Sequence, residues 1–170
     1  MTTNEMNILI FGEYGVGKRA LQSRFHHGLF LTHQEFEEEY SFSKSIEFNG
    51  TTMNVTSTNI IWREFKRKTD ERVIKADGFL LMYSIIKRDT FLHLQEIYNS
   101  LVQIRETERI PIVVVGNKCD REEYREVSAE EGRTFAERIN APFIEISIRC
   151  EINVNEAFYE LFRLIEEQRN

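Results

Sequence analysis

The stretch that decides the fold is NILIFGEYGVGK, residues 7–18. Residues 8–11 form an apolar run that, together with Asn7, predicts a buried strand, and a helix is expected from Arg19 to His27. A glycine-rich turn between a strand and a helix lets backbone N–H groups converge on a phosphate, which the positive end of the helix also attracts. Lys18 adds a full positive charge near the outer phosphates of such a ligand, so the context favours phosphate binding over a simple turn.

Strands and helices alternate along the rest of the chain. A hairpin is predicted at residues 41–48 and 51–58, because Asn49-Gly50 is a strong signal for a two-residue turn. The alternation predicts crossover units, and therefore an α/β fold with a mostly parallel sheet covered by helices and one antiparallel strand from the hairpin. Ligands of such sheets bind beyond the carboxyl ends of the strands. Further strands are predicted at 78–84, 112–115 and 143–146, and further helices at 89–107, 128–139 and 153–167.

The size and charge of the chain exclude several classes of protein. With 170 residues and no internal repeat or linker, the chain is expected to form one domain, residues 1–170. A formal net charge of −6 argues against a nucleic-acid partner. The apolar runs are too short for a transmembrane segment, and the N-terminus lacks the features of a signal peptide. Cys119 and Cys150 are too few for a disulfide framework, which favours a cytoplasmic protein.

A second candidate element is Asn117-Lys118-Cys119-Asp120, which directly follows the strand predicted at 112–115. The carboxylate of Asp120 has two acceptor oxygens, which suit the paired N1–H and N2–H₂ donors of guanine. Adenine has no such pair of donors on that edge. Asn117 can bridge the base and the phosphate loop, and the aliphatic stem of Lys118 can cover the plane of the base.

A third element, Ser147-Ile148-Arg149, follows the last predicted strand. Alone it would be interpreted as a polar turn. The three elements together follow three strands, where one ligand could touch all of them. Their joint occurrence predicts a guanine-nucleotide site that takes GDP or GTP.

The chain resembles the Ras superfamily, specifically its Ras/Rap-like branch, over nearly its whole length. This resemblance implies a P-loop G domain with a six-stranded sheet, about five surrounding helices and a nucleotide-governed switch. The stretches that carry it are GVGK at 15–18, GFLLMYSI at 78–85, VGNKCD at 115–120, REVSAEEG at 125–132 and PFIE at 142–145.

The resemblance also assigns roles around the base. It implies that Phe30 leans on the edge of the guanine, that Ser147 steadies Asp120 and that the Ile148 N–H meets the guanine carbonyl. Arg149 stands where the family usually has lysine. The candidate nucleotide-binding residues are Gly12, Glu13, Tyr14, Gly15, Val16, Gly17, Lys18, Arg19, Ala20, Phe30, Asn117, Lys118, Asp120, Ser147, Ile148 and Arg149.

Several positions depart from the family at the phosphate end. The family's loop ends in serine or threonine, whose hydroxyl binds Mg²⁺, whereas this chain has Arg19. The family's Asp-x-x-Gly motif is replaced by Thr-Asn-Ile-Ile-Trp at 58–62, which has neither the carboxylate nor the glycine. Trp62 or Arg63 takes the place of the glutamine that orients water. Tyr14 occupies a position in the loop where hydrolytic members carry a small residue.

The segment that should contain a threonine sensing the γ-phosphate is also altered. A gap-free alignment places Glu37 there, and a carboxylate beside a triphosphate is repulsive unless a cation lies between them. These departures predict weak or absent hydrolysis, make Mg²⁺ doubtful and leave no catalytic residue or metal ligand to assign. Two alternatives remain: an active GTPase whose missing groups come from a regulator, and a nucleotide-free scaffold.

Arg19 itself has two interpretations. Its guanidinium can grip phosphate oxygens and partly replace the metal, or it can turn away toward Glu37. Protein partners are expected at the switch segments 31–42 and 58–72. The acidic run 35–39 and the basic residues at 63 and 66–68 are two solvated surfaces or a pair that holds the switches together. No membrane anchor is evident, so a peripheral membrane location requires a C-terminal tail that this chain lacks.

Overall fold

The computed structural model describes residues 4–30, 38–62 and 70–170. The predictions made for Glu37 and for the basic residues at 63 and 66–68 lie outside the described residues. Within the described ranges, no helix is both long enough and apolar enough to cross a bilayer.

The sheet has six strands in the order β2-β3-β1-β4-β5-β6. Only β2 and β3 pair in antiparallel fashion, and the other four neighbouring pairs are parallel. The predicted α/β fold with one antiparallel hairpin strand is therefore confirmed. The strands are β1 (Asn4–Phe11), β2 (Ser41–Phe48), β3 (Thr51–Asn59), β4 (Gly78–Ser84), β5 (Ile112–Asn117) and β6 (Phe143–Glu145).

The described residues form six helices, whereas the sequence pattern predicted four and the resemblance implied about five. The helix predicted at 89–107 is interrupted at His93, which ends one helix and begins the next. A five-residue helix begins after Asp70, whose carboxylate accepts a hydrogen bond from the Arg72 N–H, and no sequence pattern predicted it. The helices are α1 (Lys18–His27), α2 (Glu71–Lys75), α3 (Arg88–Leu92), α4 (Leu94–Arg105), α5 (Ala129–Arg138) and α6 (Val154–Arg169).

Local sequence signals explain where several elements begin and end. Asn49 and Gly50 both have positive φ, 50° and 76°, as the predicted two-residue hairpin turn requires. Ser128 and Glu131 form the predicted capping box at the start of α5. Gly28 ends α1 in the left-handed conformation and donates its N–H to the last turn of the helix.

Two buried apolar layers fix the helices on the two faces of the sheet. One layer packs α1 and α6 together, with the rings of Phe25 and Phe158 stacked at 3.8 Å between centroids. The other packs α2, α4 and α5 over β1, β4 and β5. Because α1 is held from one side by α6 and from the other by the sheet, the loop that precedes it has a fixed position.

A small polar cluster lies buried between α1 and β3. The His26 Nε2 is 2.7 Å from the Ser57 hydroxyl, and the Gln22 amide donates to the Ser57 carbonyl at 3.0 Å. The His26 Nδ1 is buried and has no hydrogen-bond partner among the described residues. Burial, with smaller effects from the charges of His27 and Lys44, lowers the pKa of His26 to about 4.

We expect His26→Gln to remove a pH-dependent part of the stability. Because the pKa of His26 is lower in the folded chain than its usual value of 6.5, the unfolded chain binds the proton first as the pH falls. The contribution is complete above about pH 6.5, is lost toward pH 4 and amounts to about 3 kcal/mol. Denaturant unfolding at pH 7.5 and 4.5 measures most of it, because pH 4.5 lies just above the folded pKa of about 4.

The exposed neighbour provides the control, since His27→Gln should keep most of the pH dependence. If the unfolding free energy fell by the same amount from pH 7.5 to 4.5 in the unmodified protein and in His26→Gln, the pH dependence could not be assigned to His26.

Candidate nucleotide-binding site

The loop between β1 and α1 passes too close to a backbone carbonyl at one glycine, and to a side-chain amide at another, to carry a side chain at either position. At Gly12, with φ of 157°, a Cβ would lie 2.5 Å from the Met82 carbonyl oxygen. At Gly17, with φ of 102°, a Cβ would lie 2.6 Å from the Asn117 Nδ2. Both glycines are therefore required by contacts with β4 and β5 as well as by the turn itself.

Lys18 begins α1 and is buried beneath this loop. Its ammonium group donates to the Gly12 carbonyl at 2.6 Å and lies 3.3 Å from the Glu13 carbonyl. Only 5% of the residue is exposed. A full positive charge is thus held beneath the loop at the start of a helix, an arrangement that favours an anionic ligand.

The Asn-Lys-Cys-Asp element contacts the loop directly. The Asn117 amide donates to the Val16 carbonyl at 2.8 Å, and the Lys118 ammonium donates to the Gly15 carbonyl at 3.0 Å. Burial, together with nearby positive charges, lowers the pKa of Lys118. These two hydrogen bonds join the predicted base end of the site to the predicted phosphate end.

Ser147 orients the carboxylate of Asp120. The Ser147 hydroxyl donates to Asp120 Oδ1 at 2.8 Å and accepts from the Cys150 N–H at 3.0 Å. Ser147 is fully buried, so its hydroxyl has a fixed direction. The remaining acceptor positions of the Asp120 carboxylate are available for paired donors such as those of guanine.

A cavity of about 400 Å³ lies between these elements. All but three of the sixteen predicted residues line it; Gly12, Val16 and Ser147 are buried behind the lining and support it. Phe30 lines the cavity and packs against the apolar layer of α1 and α6. Glu38, Asn59 and Arg121 also line the cavity and were not predicted.

Comparisons with known proteins agree with this geometry. The sequence model of the Ras family matches residues 7–167. The chain belongs to the Ras family. It is 35% identical over 167 residues to Ras-like protein 1 of Saccharomyces cerevisiae, an alignment that covers 98% of this chain and 54% of that protein. It is 34% identical over 163 residues to Ras-like protein rasS of Dictyostelium discoideum, covering 95% of this chain and 84% of that protein.

The yeast alignment thus spans about half the length of that relative. Members of the Ras family are small GTPases that bind GDP or GTP. The residues predicted to bind the base lie together in the cavity of this Ras-family protein, whereas Arg19 and Asn59 at the predicted phosphate end contact residues 38–40.

Asn59 is the β3 residue that faces the cavity in this Ras-family protein. The side chain of Thr58 instead bonds to the Ser41 hydroxyl across the hairpin at 2.6 Å. The Asn59 Oδ1 accepts from the Tyr40 N–H at 2.6 Å, and its Nδ2 donates to the Glu38 carbonyl at 2.8 Å. An amide can donate and accept at once, which a carboxylate cannot, so this side chain holds backbone on both sides.

Arg19 turns toward the same segment. Its guanidinium carbon lies 3.7 Å from the centroid of the Tyr40 ring, a cation–π contact. The Tyr40 hydroxyl in turn donates to Glu38 Oε2 at 2.7 Å. Arg19 has thus turned away from the loop toward Tyr40, whereas the predicted partner Glu37 lies outside the described residues.

The side chains at this corner do not fit a magnesium ion. Mg²⁺ needs oxygen ligands, and the two positions that supply them in the family carry a cationic guanidinium and an amide already engaged by backbone. Across the ranges that the structure describes, no group of three or more His, Cys, Asp or Glu side chains could hold a metal ion.

The described part of the switch segments contains one ion pair between them. Arg72 donates to the carboxylate of Glu39, which also accepts from the Ile61 N–H at 3.4 Å. Arg72 belongs to the segment 58–72 but not to the basic group at 63 and 66–68, so the pairing proposed for that group is not tested. Trp62 packs edge-on against Phe11 at 6.2 Å between ring centroids.

A second carboxylate, that of Glu13, lies in the phosphate loop itself. It is hydrogen-bonded to the His93 Nδ1 at the junction of α3 and α4. The Glu13 side chain is 18% exposed and the His93 side chain 47%. His93 therefore holds a negative group to one side of a cavity that is suited to an anion.

We expect His93→Ala to weaken the affinity for GDP. Without the imidazole, the Glu13 carboxylate is free to face the phosphates. Repulsion between two negative charges about 4 Å apart in water costs about 1 kcal/mol, which corresponds to about fivefold in affinity. Isothermal titration of the nucleotide-free protein with GDP measures the change.

The double variant Glu13→Gln/His93→Ala is the matched control, since it should regain the affinity of the unmodified protein. An equally weak double variant would mean that His93 acts by packing and not through the charge of Glu13.

Proposed function

We propose that this protein binds GDP and GTP in the cavity, hydrolyses GTP very slowly or not at all, and acts by binding other proteins. The proposal rests on one contrast. The base end of the cavity has the hydrogen bonds expected of a guanine site, whereas Arg19 and Asn59 at the phosphate end are engaged with residues 38–40.

Binding is supported by the groups that converge on the cavity. The Asp120 carboxylate suits the guanine donors, and the stem of Lys118 can cover the base. The loop at 12–18 offers backbone N–H groups, and Lys18 supplies the charge for the phosphates. The chain's own residues at this site therefore suit a guanine nucleotide without any further group.

Loss of hydrolysis is supported by the segment that follows β3. Hydrolysis of GTP requires a positioned water and a cation that neutralises the developing charge. Ile60 and Ile61 are buried, and Trp62 packs against Phe11. None of these three side chains both accepts and donates hydrogen bonds, so none can orient an attacking water as an amide does.

If GTP hydrolysis is slow, the protein is expected to act by binding other proteins. We place the partner surface on the segments 31–42 and 58–72, of which residues 38–42, 58–62 and 70–72 are described. Contacts within the protein hold the described part of the first segment, since Asn59 and Gln22 bind the backbone of 38–40. The cytosol is the compartment that we propose.

We expect single-turnover hydrolysis of GTP to be slower than about 10⁻⁴ s⁻¹, the order of magnitude for unassisted small GTPases. The protein is loaded with GTP labelled on the γ-phosphate, recovered by gel filtration, and assayed for released phosphate. A faster rate that Lys18→Ala abolishes would show an active GTPase and contradict the proposal.

Recovery of no nucleotide with the protein would favour a nucleotide-free scaffold. The matched control is Arg19→Ser/Asn59→Asp, which restores the two missing oxygen ligands and should raise the rate only in the presence of Mg²⁺.

A further inference from the structure

Arg19 has one hydrogen-bond donor without a partner beside the cavity. Its guanidinium carbon lies over the Tyr40 ring, but its Nε is buried and has no hydrogen-bond partner among the residues that the structure describes. Arg19 lines the cavity next to Lys18. A buried N–H without a partner is unfavourable, and an anionic oxygen in the cavity is the group that would satisfy it.

The backbone beside Arg19 does not depend on this contact. Asn59 holds the Tyr40 N–H and the Glu38 carbonyl, and the Gln22 amide donates to the Tyr40 carbonyl at 3.0 Å. The Asn59 N–H also donates to the Tyr40 carbonyl, at 3.2 Å. If Arg19 moved away, these four hydrogen bonds would keep the backbone of 38–40 in place.

The side chains of Glu38 and Tyr40 depend more on Arg19. The Tyr40 hydroxyl donates a hydrogen bond to the Glu38 carboxylate, and this hydrogen bond raises the pKa of Tyr40. Arg19 is the cation over the same ring. It therefore offsets a carboxylate at the edge of a cavity that is suited to phosphates.

We propose that Arg19 exchanges the Tyr40 ring for a phosphate oxygen of the bound nucleotide, and thereby couples occupancy of the cavity to the side chains of Tyr40 and Glu38. The inference rests on the proposed nucleotide binding. A charge-assisted hydrogen bond to phosphate is stronger than a partly exposed cation–π contact, so the nucleotide wins the competition.

The exchange changes the surface and not the fold. Once Arg19 contacts a phosphate, the Glu38 carboxylate faces the same phosphates without its compensating charge, and repulsion turns it outward with the Tyr40 ring. The backbone of 38–40 stays where Asn59 and Gln22 hold it. A partner that contacts these two side chains then has different affinities for the nucleotide-bound and the empty protein, and by linkage it changes nucleotide affinity by the same factor.

The Arg19 Nε–Hε resonance reports the exchange directly, because a proton over an aromatic ring is shifted by that ring. Spectra of nucleotide-free, ¹⁵N-labelled protein are compared after addition of guanosine, GDP or GTP in EDTA, with Arg19→Lys for assignment. We expect GDP and GTP to move the resonance away from its ring-shifted position and guanosine to leave it there.

Each outcome separates the two proposals. Binding of GDP with the Arg19 resonance unmoved overturns the coupling and leaves nucleotide binding intact. An equal movement with guanosine also overturns it, since the phosphates would then not be the cause. Failure of all three ligands to bind overturns the proposed function and the coupling together.

Two variants of Tyr40 test the competition by affinity. Tyr40→Leu removes the ring that competes for Arg19, so GDP affinity in EDTA should rise by about two- to fivefold, the equivalent of an exposed cation–π contact. Tyr40→Phe keeps the ring and should change the affinity much less. Guanosine affinity should be the same in both variants, and a Tyr40→Leu variant with unchanged or weaker GDP binding contradicts the exchange.

Discussion

The hydrogen bond from the Asn117 amide to the Val16 carbonyl is the contact on which the site depends. It joins the end of β5 to the loop after β1, and Asn117 is only 3% exposed. A Cβ at Gly17 would lie 2.6 Å from the nitrogen of that amide, so a larger residue at this position would displace Asn117. The sheet already fixes β1 relative to β5, and this contact fixes the loop after β1 relative to the end of β5. Together they set the distance between the predicted base end and the predicted phosphate end of the cavity.

The opposite side of the cavity has a different chemistry from that of the family. Oxygen ligands for a cation are replaced by Arg19, whose charge is covalently attached, and by Asn59, whose amide binds backbone. Under the proposed function, the charge of Arg19 offsets phosphate charge in place of a separate cation, and the described residues 60–62 supply no side chain that both donates to and accepts from an attacking water. We therefore propose that ligand binding and hydrolysis, which share groups in an ordinary small GTPase, are separated in this protein.

The sequence predicted those parts of the molecule that depend on local pattern. The strand-loop-helix at 7–27, the Asn49-Gly50 hairpin and the capping box at Ser128 follow from neighbouring residues, and all three are present. Other contacts join residues that are distant in the chain, namely Asn59 with Glu38 and His93 with Glu13. No local sequence pattern predicts such contacts. Arg121 lines the cavity, but no motif in the sequence predicted that position.

The release rate of bound guanine nucleotide, measured with excess EDTA and with excess Mg²⁺, tests the central claim most directly. An ion that bridges the outer phosphates contributes several kcal/mol, so its removal should accelerate release by about a hundredfold or more. The account predicts rates that differ by less than about threefold in the two conditions, with much faster release from Arg19→Ala in both. Strong acceleration by EDTA alone would show that the protein holds a metal ion, and would contradict the account.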